Sequence, residues 1–359
     1  MTTIQTAISP ASGPVAVTGA SGYIGSWIVL DLVQQGYQVR ACVRDETNVE
    51  KVEHLLAMNH SGNRGAVELH QADLHQPGSY DAPFDGCAAV IHTGAAVGYN
   101  RESPQEVYDG CFTEVGHLVE SVKNSGTVTR LVFTSSFAAV GHPRPEHYVF
   151  TENDWCGDNP DGYRGAWTEA SIATNRDIAY AMAKARTEKM IYKAAEDAGS
   201  FEAMAILPLH VIGPLMCANH DQSWSWQNCL KFMLQGKDYR KSKGGRMLWN
   251  TVDVRDVARA HRLCAESTVA NNASRYILAA SDRSGELFTW QLQEKLQQLF
   301  PAIETIGGEE MIDGAPATAT YDSPRAYSLL AREELGLETH RIDDTLRATG
   351  DSYYRLGMI

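Results

Sequence analysis

Tyr180-Ala-Met-Ala-Lys184 sets a phenol and an ammonium four residues apart, on one face of any helix that carries them. A serine, Ser136, follows the apolar run Leu131-Val-Phe-Thr134. Hydroxyl, phenol and ammonium together are the set that carbonyl reduction needs. Hydride arriving at carbon leaves negative charge on oxygen. The Ser136 hydroxyl can hold that oxygen and the Tyr180 phenol can protonate it. Free tyrosine has a pKa of about 10, and an ammonium at Lys184 favours the phenolate. Lys184 also suits the ribose hydroxyls of a nicotinamide cofactor, which orients the ring. Ser135 is the alternative to Ser136. The plain structural reading of the pair is a packed tyrosine and an exposed lysine on an amphipathic helix.

These residues need a scaffold and a cofactor, and the N-terminal third supplies the pattern for both. Pro14 to Thr18 reads as a buried strand, and Tyr23 to Gln35 has apolar residues at helical spacing, closed by Gly36. Between them stand Gly19, Gly22 and Gly25, a G-x-x-G-x-x-G turn that includes Ser21, Tyr23 and Ile24. Such glycines permit a sharp turn, close approach to a pyrophosphate, and helix-on-strand packing, and the helix N-terminus faces the phosphates. Some 20 residues on, an acid would bind the ribose 2′-OH of NAD and an arginine the 2′-phosphate of NADP. The second strand ends in Arg44, a fork of donors, with Lys51 two turns into the next helix. NADP is therefore the expected cofactor, although Asp45 is adjacent and both cations also read as solvated surface residues. Asp73 and Leu74 follow the third strand, where adenine would lie, and Asp73 alternatively caps a turn. Thr93 follows the fourth strand and belongs to the same cofactor set, as does Pro208.

Strands are expected at 37–43, 66–70, 88–92, 131–134, 201–207, 247–252 and 276–279. Helices are expected at 47–58, with Thr47 as its cap, and at 104–123, 174–198 and 254–266. Alternation of apolar strands with helices implies a doubly wound parallel sheet of the α/β class, the Rossmann arrangement. Residues 137–170 read as a long loop, and the final 75 or so residues as mainly helical, broken at Gly307 and Gly308. The organisation expected is a flexible extension (1–13) and a cofactor-binding domain (14–207, with returning segments near 247–282). A smaller, mostly helical substrate lobe is expected from 208–246 and 283–359.

The chain has 359 residues, a formal charge of −13 and 43% hydrophobic residues. A sizeable core can form, so disorder is excluded for the whole chain. The negative charge argues against duplex nucleic acid and anionic membrane surfaces as partners. Seven scattered cysteines form no C-x-x-C pair and match no zinc pattern. They read as thiols of a reducing cytosol, and no metal is expected. No apolar stretch is long enough to span a membrane, and the N-terminus lacks a signal-peptide pattern. A cytoplasmic monomer or homodimer acting on a small molecule is the expectation.

Val15-Ala-Val-Thr-Gly-Ala-Ser-Gly-Tyr-Ile-Gly-Ser26 and Val39-Arg-Ala-Cys-Val-Arg-Asp-Glu-Thr-Asn-Val-Glu-Lys-Val-Glu-His-Leu-Leu56 resemble the dihydroflavonol 4-reductase-like group of extended short-chain dehydrogenases/reductases. Ala72-Asp-Leu74, Leu131 to Ser136, Tyr180 with Lys184, Pro208 through Pro214, and Val252-Asp-Val-Arg-Asp-Val-Ala258 continue the likeness, which covers most of the chain. The resemblance implies NADPH-dependent reduction of a ketone or aldehyde, with Ser136, Tyr180 and Lys184 as catalytic group and Arg44 and Lys51 on the 2′-phosphate. The sequence also departs from the group. Gly141 stands where the plant flavonoid enzymes place a substrate-holding asparagine, and Asn153-Asp-Trp-Cys-Gly157 is not the cinnamoyl-CoA signature. Thr113 occupies the place of a proton-relay asparagine.

His210, Trp224 and Trp226 join Ser136 and Gly141 as candidate substrate contacts, with core packing as the alternative for both tryptophans. His142 and His147 lie in the same region, while His92 reads as a packed strand-end histidine. The aromatic content suggests an apolar or aromatic carbonyl substrate. Two other readings stand beside this one. The first is an NAD-dependent hydroxysteroid or nucleotide-sugar dehydrogenase or epimerase. The second is a non-catalytic NADP-binding redox sensor.

Overall fold

The computed structural model describes residues 6–94, 103–145, 147–158, 167–222, 225–237, 248–280, 285–303, 318–319 and 325–359. In chain order the strands are β1 (Val15–Thr18), β2 (Gln38–Val43), β3 (Ala66–Gln71), β4 (Ala89–His92), β5 (Arg130–Thr134), β6 (Arg144–Pro145), β7 (Glu202–Pro208), β8 (His210–Ile212), β9 (Leu248–Asp253), β10 (Arg275–Leu278), β11 (Glu286–Phe288) and β12 (Thr318–Ala319). The helices are α1 (Tyr23–Gln35), α2 (Val49–Leu56), α3 (Asp81–Phe84), α4 (Pro104–Ser125), α5 (Glu169–Thr174), α6 (Arg176–Ala198), α7 (Trp226–Leu234), α8 (Val254–Glu266), α9 (Thr289–Leu299), α10 (Leu329–Leu335) and α11 (Ile342–Arg355).

Seven strands form one sheet in the order β10-β7-β5-β4-β1-β2-β3, and every pairing is parallel. The strand order reverses between β1 and β4, so a crevice opens beyond their carboxyl ends, where Thr18 pairs with His92. In open α/β sheets ligands sit at such a switch point. The central strands are buried along their length, as β1 and β4 are, which is why they read as continuous apolar runs rather than alternating ones. The two faces carry separate cores. One joins Val90, Leu131, Phe133 and Ala203 to α4 and α6. The other joins Val15, Val17, Ile91 and Ile206 to α1 and α8. A third core, with Trp249, Leu230, Leu292, Leu346 and Tyr353, belongs to the smaller lobe of α7, α9 and α11.

Helix ends follow local chemistry. Gly36 closes α1 in the left-handed region (φ 100°) and donates to the Leu32 and Val33 carbonyls. Ser103 and Glu106 form a capping box on α4. The helix expected at 174–198 is two helices, because Asn175 leaves helical geometry and its side chain caps α6 through the Asp177 and Ile178 amides.

Three expectations are corrected. Residues 6–13 are not a loose extension: Ile8 is buried and donates to the Ala265 carbonyl (3.1 Å), and the Thr6 hydroxyl bonds Glu202. Asn48, not Thr47, precedes α2, because the Thr47 amide and hydroxyl both turn back to Asp45. The strand expected within the returning segment does not rejoin the large sheet. β9 lies between β8 and β11 in a three-stranded sheet, and only α8 and β10 return. The β8 and β11 strands have three residues each, too short for a periodicity signal. Gly307 and Gly308 fall outside the described residues.

Candidate active site

The glycine turn closes tightly on itself. A Cβ on Gly25 would lie 2.2 Å from the Gly19 carbonyl oxygen, so only glycine allows α1 to start there. Gly19 has φ +64°, and a Cβ on it would press on the Thr93 hydroxyl and the Gly94 backbone at 3.0 Å. The Ala20 amide donates to the Cys42 carbonyl (3.3 Å), which sets the turn beside the end of β2. Gly22 precedes α1 with no side-chain cap, and no acidic residue stands in its first turn. The first amides thus face an open site suited to an anion. Ser21, Tyr23 and Ile24 are half-buried on that turn, and the Tyr23 hydroxyl donates to the Gly213 carbonyl (2.8 Å).

Arg44, two residues beyond Cys42, and Lys51 on α2 are exposed, and neither makes an ion pair among the described residues. Asp45 is engaged elsewhere, accepting from the Thr47 hydroxyl (2.6 Å) and amide (2.9 Å). Those two bonds hold its carboxyl below the ordinary range. Asp73 caps its own turn, with one carboxylate oxygen accepting from the His75 amide (3.0 Å). The Leu74 carbonyl accepts from His117 of α4 (2.7 Å). Thr93 donates to the Thr18 carbonyl (2.7 Å), and buried Pro208 ends β7 opposite Leu278. These residues fit a dinucleotide: an uncapped helix start, glycines where side chains would clash, and two exposed cations that make no ion pair among the described residues.

Ser136 stands just past the carboxyl end of β5, on a short turn that packs against α6. Its hydroxyl oxygen accepts from the Ala138 amide (3.1 Å), and its proton has no acceptor among the described residues. The Ser135 hydroxyl is used differently. It is buried and donates to Glu188 (2.6 Å), so of the two serines Ser136 is the one open to a ligand. Tyr180 and Lys184 lie half-buried on α6, with the Lys184 Nζ 5.9 Å from the centre of the Tyr180 ring. Lys184 also reaches toward β4. Burial, and then the Lys184 ammonium, push buried His92 down to about 3, and neutral His92 bonds the Thr18 hydroxyl (2.7 Å). The structure thus brings the ends of β1, β4 and β5 and the middle of α6 to one crevice.

The candidate substrate residues divide. Gly141 is buried and donates to the Phe137 carbonyl (2.9 Å) beside Ser136. His210 is not an open cleft residue. Only 2% exposed, it stacks on Trp226 with ring centres 4.1 Å apart, lies 5.7 Å from Trp249, and accepts from the Asn250 amide (3.2 Å). Trp226 is half-buried at the start of α7, and Trp224 lies outside the described residues. His142 is buried against Trp167, and His147 is exposed. Thr113 is exposed and its hydroxyl turns back to the Asp109 carbonyl (3.5 Å), away from any relay.

Two groupings escaped the sequence reading. Glu188, one turn beyond Lys184, pairs with Arg275 of β10 (2.6 Å) and accepts from Ser135 and from Tyr192 (3.0 Å). Arg275 in turn stacks on Trp155, 3.6 Å from its centre. This network ties the end of β5 to α6. The second grouping, His54, Cys217 and His220, lies behind the glycine turn. Its one sequence signal is the Cys217-x-x-His220 spacing.

The doubly wound sheet, the glycine turn at its switch point, and the serine, tyrosine and lysine beyond the strand ends define an extended short-chain dehydrogenase/reductase. Residues 15–279 match the NAD dependent epimerase/dehydratase family, and the chain belongs to it. A cinnamoyl-CoA reductase of Medicago truncatula is 28% identical over 342 residues, 94% of each chain. A dihydroflavonol 4-reductase of Hordeum vulgare is 34% identical over 57% of this chain and 55% of its own length. This chain therefore aligns with about half of that enzyme. Among solved structures, the yeast methylglyoxal/isovaleraldehyde reductase Gre2 complexed with NADPH has a TM-score of 0.75 at 22% identity, covering 96% of this chain and all of its own. Vestitone reductase from alfalfa has a TM-score of 0.73 at 23% identity, over 97% and 100%. Both share the fold. No described helix is long and apolar enough to cross a membrane.

Proposed function

We propose that this protein is an NADPH-dependent reductase that converts the carbonyl of a ketone or aldehyde to an alcohol. One observation carries the reading. Ser136, with an uncommitted hydroxyl proton, and the Tyr180–Lys184 pair share the crevice at the switch point of a sheet whose glycine turn suits a dinucleotide. The pairing of Asp45 with Thr47, and the open cations Arg44 and Lys51, favour the phosphorylated cofactor over NADH. The NADPH-bound Gre2 neighbour and the reductase relatives support the same choice.

When bound, NADPH supplies a hydride to the substrate carbon. The chain's own residues then manage the oxygen. Ser136 Oγ donates to the carbonyl oxygen and offsets the charge that develops there. Tyr180 Oη gives that oxygen its proton, and the positive charge of Lys184 offsets the phenolate left behind. Lys184 would also hold the ribose hydroxyls of the cofactor and so orient it. The aromatic content of the chain and the reductase relatives suit an apolar or aromatic carbonyl compound. With the Thr113 hydroxyl turned back to the Asp109 carbonyl, regeneration of the phenol takes its proton by another relay or from water.

A screen of NADPH oxidation over aromatic ketones, aldehydes, keto esters and diketones tests this reading. Turnover of at least one class, with NADPH preferred to NADH, is expected. No turnover of any class, or a preference for NADH, would overturn it.

A further inference from the structure

Three side chains from two distant segments meet behind the glycine turn: His54 on α2, and Cys217 and His220 after β8. One nitrogen of each ring and the Cys217 sulfur all lie within 4.8 Å of one another. A tetrahedral ion with bonds of ~2.0–2.3 Å sets its ligand atoms roughly 3.5 Å apart, so shifts of about 1 Å would close this cluster on an ion.

The hydrogen bonds fix how the rings present themselves. A serine hydroxyl has one proton and two acceptor positions. The Ser26 proton goes to the Ala20 carbonyl (2.9 Å). His54 Nε2 (2.8 Å) and His220 Nε2 (3.2 Å) both face that same oxygen, so each approaches it as an N–H donor. Both rings then carry their lone pair on Nδ1. His54 Nδ1 is buried with no hydrogen-bond partner, and His220 Nδ1 accepts a 3.3 Å hydrogen bond from the Met216 amide, which an ion would have to displace. An oxygen that holds the far N–H of a histidine is the usual outer support of a metal ligand. Here one serine serves two rings. Cys217 and His54 are each half-buried, which leaves a path from solvent.

We propose that His54, Cys217 and His220 form a binding site for a zinc-class divalent cation, with water as fourth ligand. One sulfur and two imidazole nitrogens select such ions over magnesium or calcium. Bound there, the ion clamps α2 to the 217–220 turn. Ser26 sits within α1 and Lys51 is one helical turn before His54, so the clamp braces the wall of the cofactor crevice from behind. It does not depend on which carbonyl compound the enzyme reduces.

The test uses the full chain, stripped with a chelator and titrated with cobalt(II), then zinc. One equivalent of cobalt should bind with a thiolate-to-cobalt charge-transfer band, zinc should displace it, and zinc should raise the thermal midpoint. Cys217→Ser should abolish the band. His54→Gln should weaken binding at least ~10-fold, and Ser26→Ala by ~10–100-fold. Circular dichroism of each variant checks that it is folded, and His54→Gln keeps the test decisive should Cys217→Ser fold poorly. A wild-type protein with no charge-transfer band, or a band that survives in folded Cys217→Ser or keeps its affinity in His54→Gln, would overturn the proposal.

Discussion

Replacing Glu188 by leucine removes the buried carboxylate that holds Ser135 next to Ser136. Arg275, 5% exposed in its side chain, would then be a buried cation without its carboxylate, and Glu188 itself is fully buried. Breaking such a pair from one side costs about 3–5 kcal/mol. The Ser135 and Tyr192 hydroxyls lose the same acceptor, adding ~1 kcal/mol each. The total is roughly 5–7 kcal/mol, comparable to the whole stability of many domains. At ~2.1 cal/mol/K of unfolding entropy per residue, 359 residues give about 0.75 kcal/mol/K. The thermal midpoint should therefore fall by about 7–9 °C. Arg275→Met alone should cost less, because Glu188 keeps two hydroxyl donors. The double variant Glu188→Leu with Arg275→Met should recover at least ~2 kcal/mol over the sum of the singles, since an apolar pair can replace a buried ion pair. Thermal and urea unfolding of the four proteins measures this. Additive effects, or a Glu188→Leu cost under ~1 kcal/mol, would refute the reasoning.

Other predictions follow from the same geometry. Arg44→Ala should raise the NADPH dissociation constant ~10–100-fold, the worth of a lost charge-assisted hydrogen bond of ~1.5–3 kcal/mol. NADH binding should stay within about twofold, and calorimetric titration of both cofactors decides; equal losses would remove Arg44 from the 2′-phosphate. Burial pushes His92 to about 3 and His261 to about 4. Unfolding lets each take up a proton below its ordinary pKa of about 6.5. Stability should thus be full above pH ~6.5 and fall as the pH drops toward those folded values, by about 2 kcal/mol for each histidine at pH 5. Urea unfolding between pH 5 and 7.5 measures the slope, which His261→Gln should flatten.

What the sequence disclosed, and what it hid, have physical reasons. The Gly19–Gly25 turn was legible because a dinucleotide turn must be local: strand, glycines and helix are contiguous. Tyr180 and Lys184 were legible because one helical turn relates them. The large sheet followed from apolar runs buried on both faces. The small sheet was hidden, since β8 and β11 have three residues each and pair with β9 from afar. His210 reads from sequence as a cleft residue beside Pro208, yet two tryptophans from α7 and β9 enclose it. Glu188 with Arg275, and His54 with Cys217, are pairings 87 and 163 residues apart, beyond any local pattern. Ser135 and Ser136 could be told apart only once Glu188 was seen to claim one of them.

The central claim is that Tyr180 delivers the proton in a carbonyl reduction. It is tested most directly by Tyr180→Phe, measured for NADPH binding by fluorescence and for turnover on the best carbonyl substrate of the wild type. Removing one hydroxyl should leave NADPH affinity within about threefold and lower kcat by at least ~100-fold, the usual worth of general-acid catalysis. Wild-type turnover in a folded, NADPH-binding Tyr180→Phe protein would contradict the account.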